Sequence, residues 1–155
     1  MEEKKENIKL VYSKNYEKII LKEISEIYEI EKELICSSTR IRSVMSAKTM
    51  FIYILRNMFS LSLVKIGGIT KLHHASIIHH VSKYEFFLET YDEEKKLFDR
   101  VKLKILDVQV DERIRMLEEE SDKIKEELTK LYNIKNQKNV RNERKNLLAK
   151  QYQRD

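Results

Sequence analysis

Proline is absent from all 155 residues of this chain, and glycine occurs only twice, side by side at positions 67 and 68. Hairpin turns, β-bulges and phosphate-cradling glycine loops all draw on those two residue types, so the sequence predicts an all-α fold. Helix positions then follow from spacing. Tyr16, Ile19, Ile20, Ile24, Ile27 and Tyr28 recur at helical intervals and predict an amphipathic helix over about 14–29. Ile30 to Ile35 reads as a short helical turn. Ser43 is expected to cap a second main helix over about 44–59, whose run from Met50 to Leu55 is apolar almost all round and so central to the fold. Ser62 is expected to cap a short helix, Leu63 to Ile66, stopped by Gly67 and Gly68. Thr70 then caps the next helix, about 71–90, with Ile77, Ile78, Val81, Tyr84 and Leu88 turned inward. A short helix, a Gly-containing turn and a second helix rich in small polar and basic side chains form the helix-turn-helix signature, whose second helix enters the DNA major groove.

Charge is distributed unevenly. The 51 residues from Leu34 to Tyr84 hold Arg40, Arg42, Lys48, Arg56, Lys65, Lys71 and Lys83 and not one Asp or Glu, in a chain that carries 26 acids elsewhere. All four histidines, His73, His74, His79 and His80, fall in the same stretch. An acid-free basic segment that also supplies core residues is what a folded polyanion-binding surface requires, because unpaired carboxylates repel phosphates and offset counterion release. Chance clustering in a basic protein is the plain alternative.

From Asp92 the texture becomes a charged helix without Gly through about Asn133, about 60 Å long. Leu103, Leu106, Val110, Ile114, Leu117, Ser121, Ile124, Leu128 and Leu131 trace a heptad seam with one stutter near Val110. With Ile114, Ser121 and Leu128 at a positions, Arg113 would face Glu118 and Glu120 would face Lys125 across a parallel pair. A homodimer through residues 103–131 is therefore expected, with Ser121 a weak polar register mark. A helix folding back on the N-terminal domain, or one held by pairs such as Glu119 with Lys123, is the competing reading. The predicted organisation is a charged N-terminal tail (1–13), a helix-turn-helix domain (14–91), a long coiled-coil-type helix (92–134) and a basic C-terminal tail (135–155).

The stretch from Ile30 to Lys83 resembles the C-terminal DNA-binding domain of the bacterial replication initiator DnaA. The likeness rests on Ile30, then Arg40, Arg42, Ser43 and Val44, then Lys48 and Met50, then Ser62, Leu63, Ile66 and Gly67. His74, Ser76, Ile77, His79 and Lys83 resemble the family's closing Asp-His-Thr-Thr-Val-x-His signature and the basic residue after it. About residues 18–90 are covered. The resemblance implies that Arg40, His74, Ser76 and His79 read bases, with Arg40 in the minor groove. It also implies that Arg42, Lys48, Lys71 and Lys83 contact phosphates, which position without specifying. His73 stands where the family has its signature Asp and Ala75 where it has Thr, so a different DNA site is expected. The turn after Gly67 is shorter than the family's and lacks its Phe-Gly pair. No GxxxxGK[ST] occurs, so the ATPase domain and nucleotide-switched assembly are not expected. Such a stand-alone domain looks like a small replication or regulatory protein of a phage or mobile element.

Other chemistries find less support. Helical chelation needs partners three or four residues apart, and positions 73, 74, 79 and 80 offer none. No carboxylate neighbours the histidines in sequence and Cys36 has no evident base, so neither catalysis nor a cofactor or metal is expected. Of the histidines, His80 is the first candidate for packing at a helix seam. A single Cys excludes a disulfide framework. Met50 to Leu55 is too short to span a bilayer and MEEKKENIK is no signal peptide, so a cytoplasmic protein, in a host cytoplasm if phage-encoded, is expected. The leading reading is a sequence-preferring double-stranded DNA-binding protein acting in replication initiation or its regulation. The alternatives are a coiled-coil scaffold binding an acidic protein partner, a helix-turn-helix transcriptional regulator, or sequence-neutral DNA compaction driven by the basic tail.

Overall fold

The computed structural model describes residues 10–153, so most of the expected N-terminal tail lies outside the described residues. Those residues form six helices and no strand: α1 Lys14–Tyr28, α2 Lys32–Ile35, α3 Arg42–Asn57, α4 Leu63–Thr70, α5 His74–Thr90 and α6 Asp92–Tyr152. Two compact units divide the chain after Gln109, so the first part of α6 belongs with α1 to α5.

In the first unit α3 is the hub. It packs on α1, α2, α4 and α5 and buries Ala47, Met50, Phe51, Ile52, Ile54 and Leu55, as its all-round apolar run predicts. Around it close Ile20 and Ile24 of α1, Ile35 of α2, Ile66 of α4, Ile77 and Tyr84 of α5, and Val101 and Ile105 of α6. Rings of Tyr53, Tyr84 and Phe98 meet with centroids 5.0 to 6.2 Å apart, tilted or edge-on. Glu94 accepts from the hydroxyls of Tyr28 (3.1 Å) and Tyr84 (3.4 Å), which ties α1 and α5 to the start of α6. Burial, reinforced by that carboxylate, pushes both phenols far above their usual range, so both stay protonated donors. Arg100 Nε of α6 donates to Glu23 of α1 at 2.8 Å.

Several local expectations are corrected. Leu10 is buried in the core and Tyr12 packs edge-on against Phe59 at 6.0 Å, so the last part of the expected tail is anchored structure. Helix α3 begins after Ile41, with Ser43 inside its first turn and no side-chain cap. Helix α4 runs straight through both glycines to Thr70, which is no cap: its buried hydroxyl donates to the Ile66 carbonyl at 2.8 Å. The chain turns instead at Lys71, whose φ of 56° is left-handed. Ile78, expected inside, is 52% exposed, because α5 turns Ile77, His80 and Tyr84 to the core.

The second unit is helix α6 from Val110 onward. Apart from the partly covered Glu112, every described residue in it is exposed, and the helix continues through the expected basic tail to Tyr152. Among the described residues no helix is long and apolar enough to cross a membrane.

Candidate nucleic-acid interface

Helices α4 and α5 are joined by Lys71, Leu72 and His73 alone. Ser62 opens α4 by accepting from the Lys65 amide at 3.3 Å. Close approach then decides the turn. A Cβ on Gly67 would lie 2.9 Å from the Leu72 carbonyl, so only glycine lets the chain fold back here without a backbone shift. His73 occupies the N-cap of α5, and its Nδ1 accepts from the Ala75 amide at 3.4 Å. An acceptor side chain is what a helix start demands, and an imidazole nitrogen supplies it where an Asp carboxylate would otherwise serve. The His74 ring stacks on it at 5.4 Å.

The loop before α3, the end of α4 and the start of α5 surround an open cavity of about 590 Å³. Arg40, Lys48, Lys71, Ser76 and His80 line it, with hydroxyls of Ser37, Ser38 and Thr39. A shallower depression of about 380 Å³ adjoins it through Met45, Ser76 and His80, and adds His79 and Lys83. No Asp or Glu lines either hollow. One continuous basic surface thus gathers Arg40, Lys71, Ser76, His79 and Lys83 from three separate elements. His74 and Arg42 are exposed but line neither hollow.

Two basic groups in this region serve the fold. Lys48, expected as a phosphate contact, is only 2% exposed, and its ammonium donates to the Ser37 carbonyl. Burial lowers its pKa, with the nearby Cys36 opposing that shift, and the hydrogen bond fixes the loop that carries Arg40. Lys48 is therefore a positioning residue for Arg40, which corrects its assignment as a phosphate contact. His80 is 6% exposed and bonds Thr49 Oγ1 through Nδ1 at 2.8 Å. Thr49 donates its single proton to the Met45 carbonyl at 2.7 Å, so His80 Nδ1 must be the donor to Thr49. Burial first, then His79, Lys48 and Lys83, lower the His80 pKa and keep the ring neutral. Spacing could have flagged Lys48, which follows Val44 by four residues and precedes Ile52 by four on a buried face. The hydroxyl run Ser37 to Thr39 was missed, and its signal was the cluster of small polar residues just before Arg40.

The Cys36 thiol is pushed up chiefly by burial, which disfavours the nucleophilic thiolate. Among the described residues no group of three His, Cys, Asp or Glu side chains is placed to hold a metal ion.

Residues 17–83 match the family described as bacterial dnaA protein helix-turn-helix, a span that runs from α1 to the basic residue in the middle of α5 and ends before α6 begins. No curated protein matches the chain.

Proposed function

We propose that residues 17–83, a DNA-binding helix-turn-helix domain of the DnaA type, read double-stranded DNA with sequence preference and act in replication initiation or its regulation, without catalysis. The continuous acid-free surface supports this reading above all, because it places basic and hydrogen-bonding side chains where no carboxylate opposes a phosphate. In this proposal α5 lies in the major groove and presents His74, Ser76 and His79 to base edges, while Arg40 enters the neighbouring minor groove. Lys71, Lys83 and Arg42 hold phosphates on either side. The role at an origin rests on likeness to the initiator's DNA-binding domain.

Selection of binding sites from a random duplex pool at near-physiological salt tests it. An enriched motif is the expected result; uniform retention would mean phosphate-only binding, and no retention would remove DNA as the partner. On the selected site, Arg40→Ala or His79→Ala should cost about 1–3 kcal/mol and relax specificity, whereas Lys83→Ala should weaken all duplexes alike and lower the salt slope by about one. Equal losses on specific and random DNA for both classes would overturn the base-reading assignments.

A further inference from the structure

Helix α6 uses its apolar residues in two ways. Leu97, Phe98, Val101, Ile105 and Val108 recur at core-facing spacing and pack into the first unit. From Val110 the stripe continues as Ile114, Leu117, Ile124, Leu128 and Leu131, each 47 to 56% exposed. Leu103, at the start of the expected seam, lies within the span of the first set but off its core-facing side and is 62% exposed, so the continuous unpartnered stripe begins at Val110. In one heptad register Ile114, Ser121 and Leu128 take a positions and Val110, Leu117, Ile124 and Leu131 take d. Asp107 occupies the a position before this run, and Lys135 and Lys138 occupy the a and d positions after it. The seam is thus bounded by charge at both ends.

We propose that Val110 to Leu131 is the surface through which two copies of this chain associate, as a parallel two-stranded coiled coil. It goes beyond the DNA-binding reading and does not depend on it. Charge complementarity names the occupant. In a parallel pair each g residue meets the e residue five positions on in its partner, which sets Arg113 against Glu118 and Glu120 against Lys125, both attractive. An antiparallel pair keeping the same apolar layers would also let Glu118 meet Lys125, but it sets Glu120 against Glu120 or Glu127 of the other copy, which repels, whereas both flanking pairs of the parallel arrangement attract. Ser121 points the same way. A shallow groove of about 530 Å³ lies at this residue, between Ile114, Leu117, Glu118 and Lys125. Parallel pairing puts two serines side by side in that gap, where their hydroxyls bond each other. Antiparallel pairing would put each hydroxyl against Ile124 with no polar partner.

The full-length chain with Cys36→Ala removes the one native thiol, and Ser121→Cys then reports alignment. Sedimentation equilibrium should give a concentration-dependent mass of two chains, and mild oxidation should convert the Ser121→Cys protein to a covalent dimer. A charge test fixes the pairing. Chains carrying Arg113→Glu with Glu120→Lys should be monomeric, as should chains carrying Glu118→Arg with Lys125→Glu, while an equimolar mixture should recover the dimer. These positions are exposed, so circular dichroism of the first unit should not change. A chain that stays monomeric at all concentrations, a dimer that fails to cross-link at Ser121→Cys, a mass of three or four chains, or a mixture no tighter than its components would each overturn the proposal.

Discussion

Apolar side chains recur at helical spacing in both units, and what becomes of them differs. Ile20, Ile24, Phe51, Ile77 and Ile105 of the first unit are withdrawn completely from water, whereas Ile114, Leu117, Ile124 and Leu128 of the second keep about half their surface. Periodicity specifies a face and not its partner. Where α1, α2, α4 and α5 converge on α3, the face is covered within the chain; where α6 runs alone, the same pattern is left open. The polar sides differ as well. The second unit interleaves its charges, with Arg115–Glu119 at 4.0 Å and Lys125–Asp122 at 3.0 Å, pairs that support an exposed helix by about 0.2–0.5 kcal/mol each. The first unit carries such pairs too, Lys14–Glu17 at 2.9 Å and Arg100–Glu23 at 2.8 Å, but around its two hollows it sets Arg40, Lys71 and Lys83 with no acid among them, where repulsion is tolerated because the fold is held from behind by its core.

The largest expected effect tests that contrast directly. Phe51→Ala empties a fully buried site and should cost the first unit about 3–5 kcal/mol, a large part of a small domain's stability, in urea unfolding followed by near-ultraviolet circular dichroism. Leu117→Ala should leave that transition unmoved. An equal loss from both would mean that the two units unfold as one. Next comes Gly67→Ala, whose added carbon meets a backbone carbonyl and should cost about 1–3 kcal/mol by the same measurement. Glu94→Ala leaves the phenols of Tyr28 and Tyr84 without their acceptor and should cost about 1–3 kcal/mol, with Glu94→Gln recovering part of it. A neutral Glu94→Ala would show that water replaces the carboxylate.

The helices were legible because their signals are redundant: missing proline and repeated apolar spacing agree over α1, α3 and α5. Helix ends were harder to read. Ser43 and Thr70 have the chemistry of caps, yet any hydroxyl near a boundary does, and Thr70 satisfies its own helix instead. The true cap, His73, is an uncommon capping residue, and its role depends on a ring nitrogen that composition does not reveal. The glycine pair looked like a stop, but Gly67 is there for the approach of Leu72, a contact made only after the chain turns. At the interface, spacing placed Ser76, His79 and Lys83 on one helix. It could flag Lys48 as lying on a buried face of α3, but not that its ammonium holds the Arg40 loop, since that depends on where α2 ends relative to α3.

His80 gives the comparison a pH dependence. Its folded-state pKa is lowered by burial, so above pH about 6.5 both folded and unfolded states hold it neutral and its contribution is fully present. As pH falls below that value the unfolded chain takes up a proton that the folded chain resists, and stability declines until the folded pKa is passed. The urea midpoint of the first unit should therefore fall as pH drops below 6.5 more steeply than in His80→Gln, whose amide can still donate to Thr49. Parallel curves for the two proteins would show that the buried ring does not resist protonation.

The smallest effect separates two neighbouring glycines. Gly68 sits in the same helix as Gly67 but has nothing within 4 Å of where a Cβ would be, so Gly68→Ala meets no obstacle. Alanine restricts the unfolded chain and favours helix, and the substitution should raise stability by about 0.5–1 kcal/mol, or several degrees in melting temperature. Duplex affinity should stay unchanged, because in the proposed docking α4 crosses the backbone and α5 carries the contacts. A destabilised Gly68→Ala protein would mean that α4 is not a regular helix there. A stabilised protein that binds DNA more weakly would mean that Gly68 is kept open for the phosphate backbone, which would move the interface toward α4 and away from Lys83.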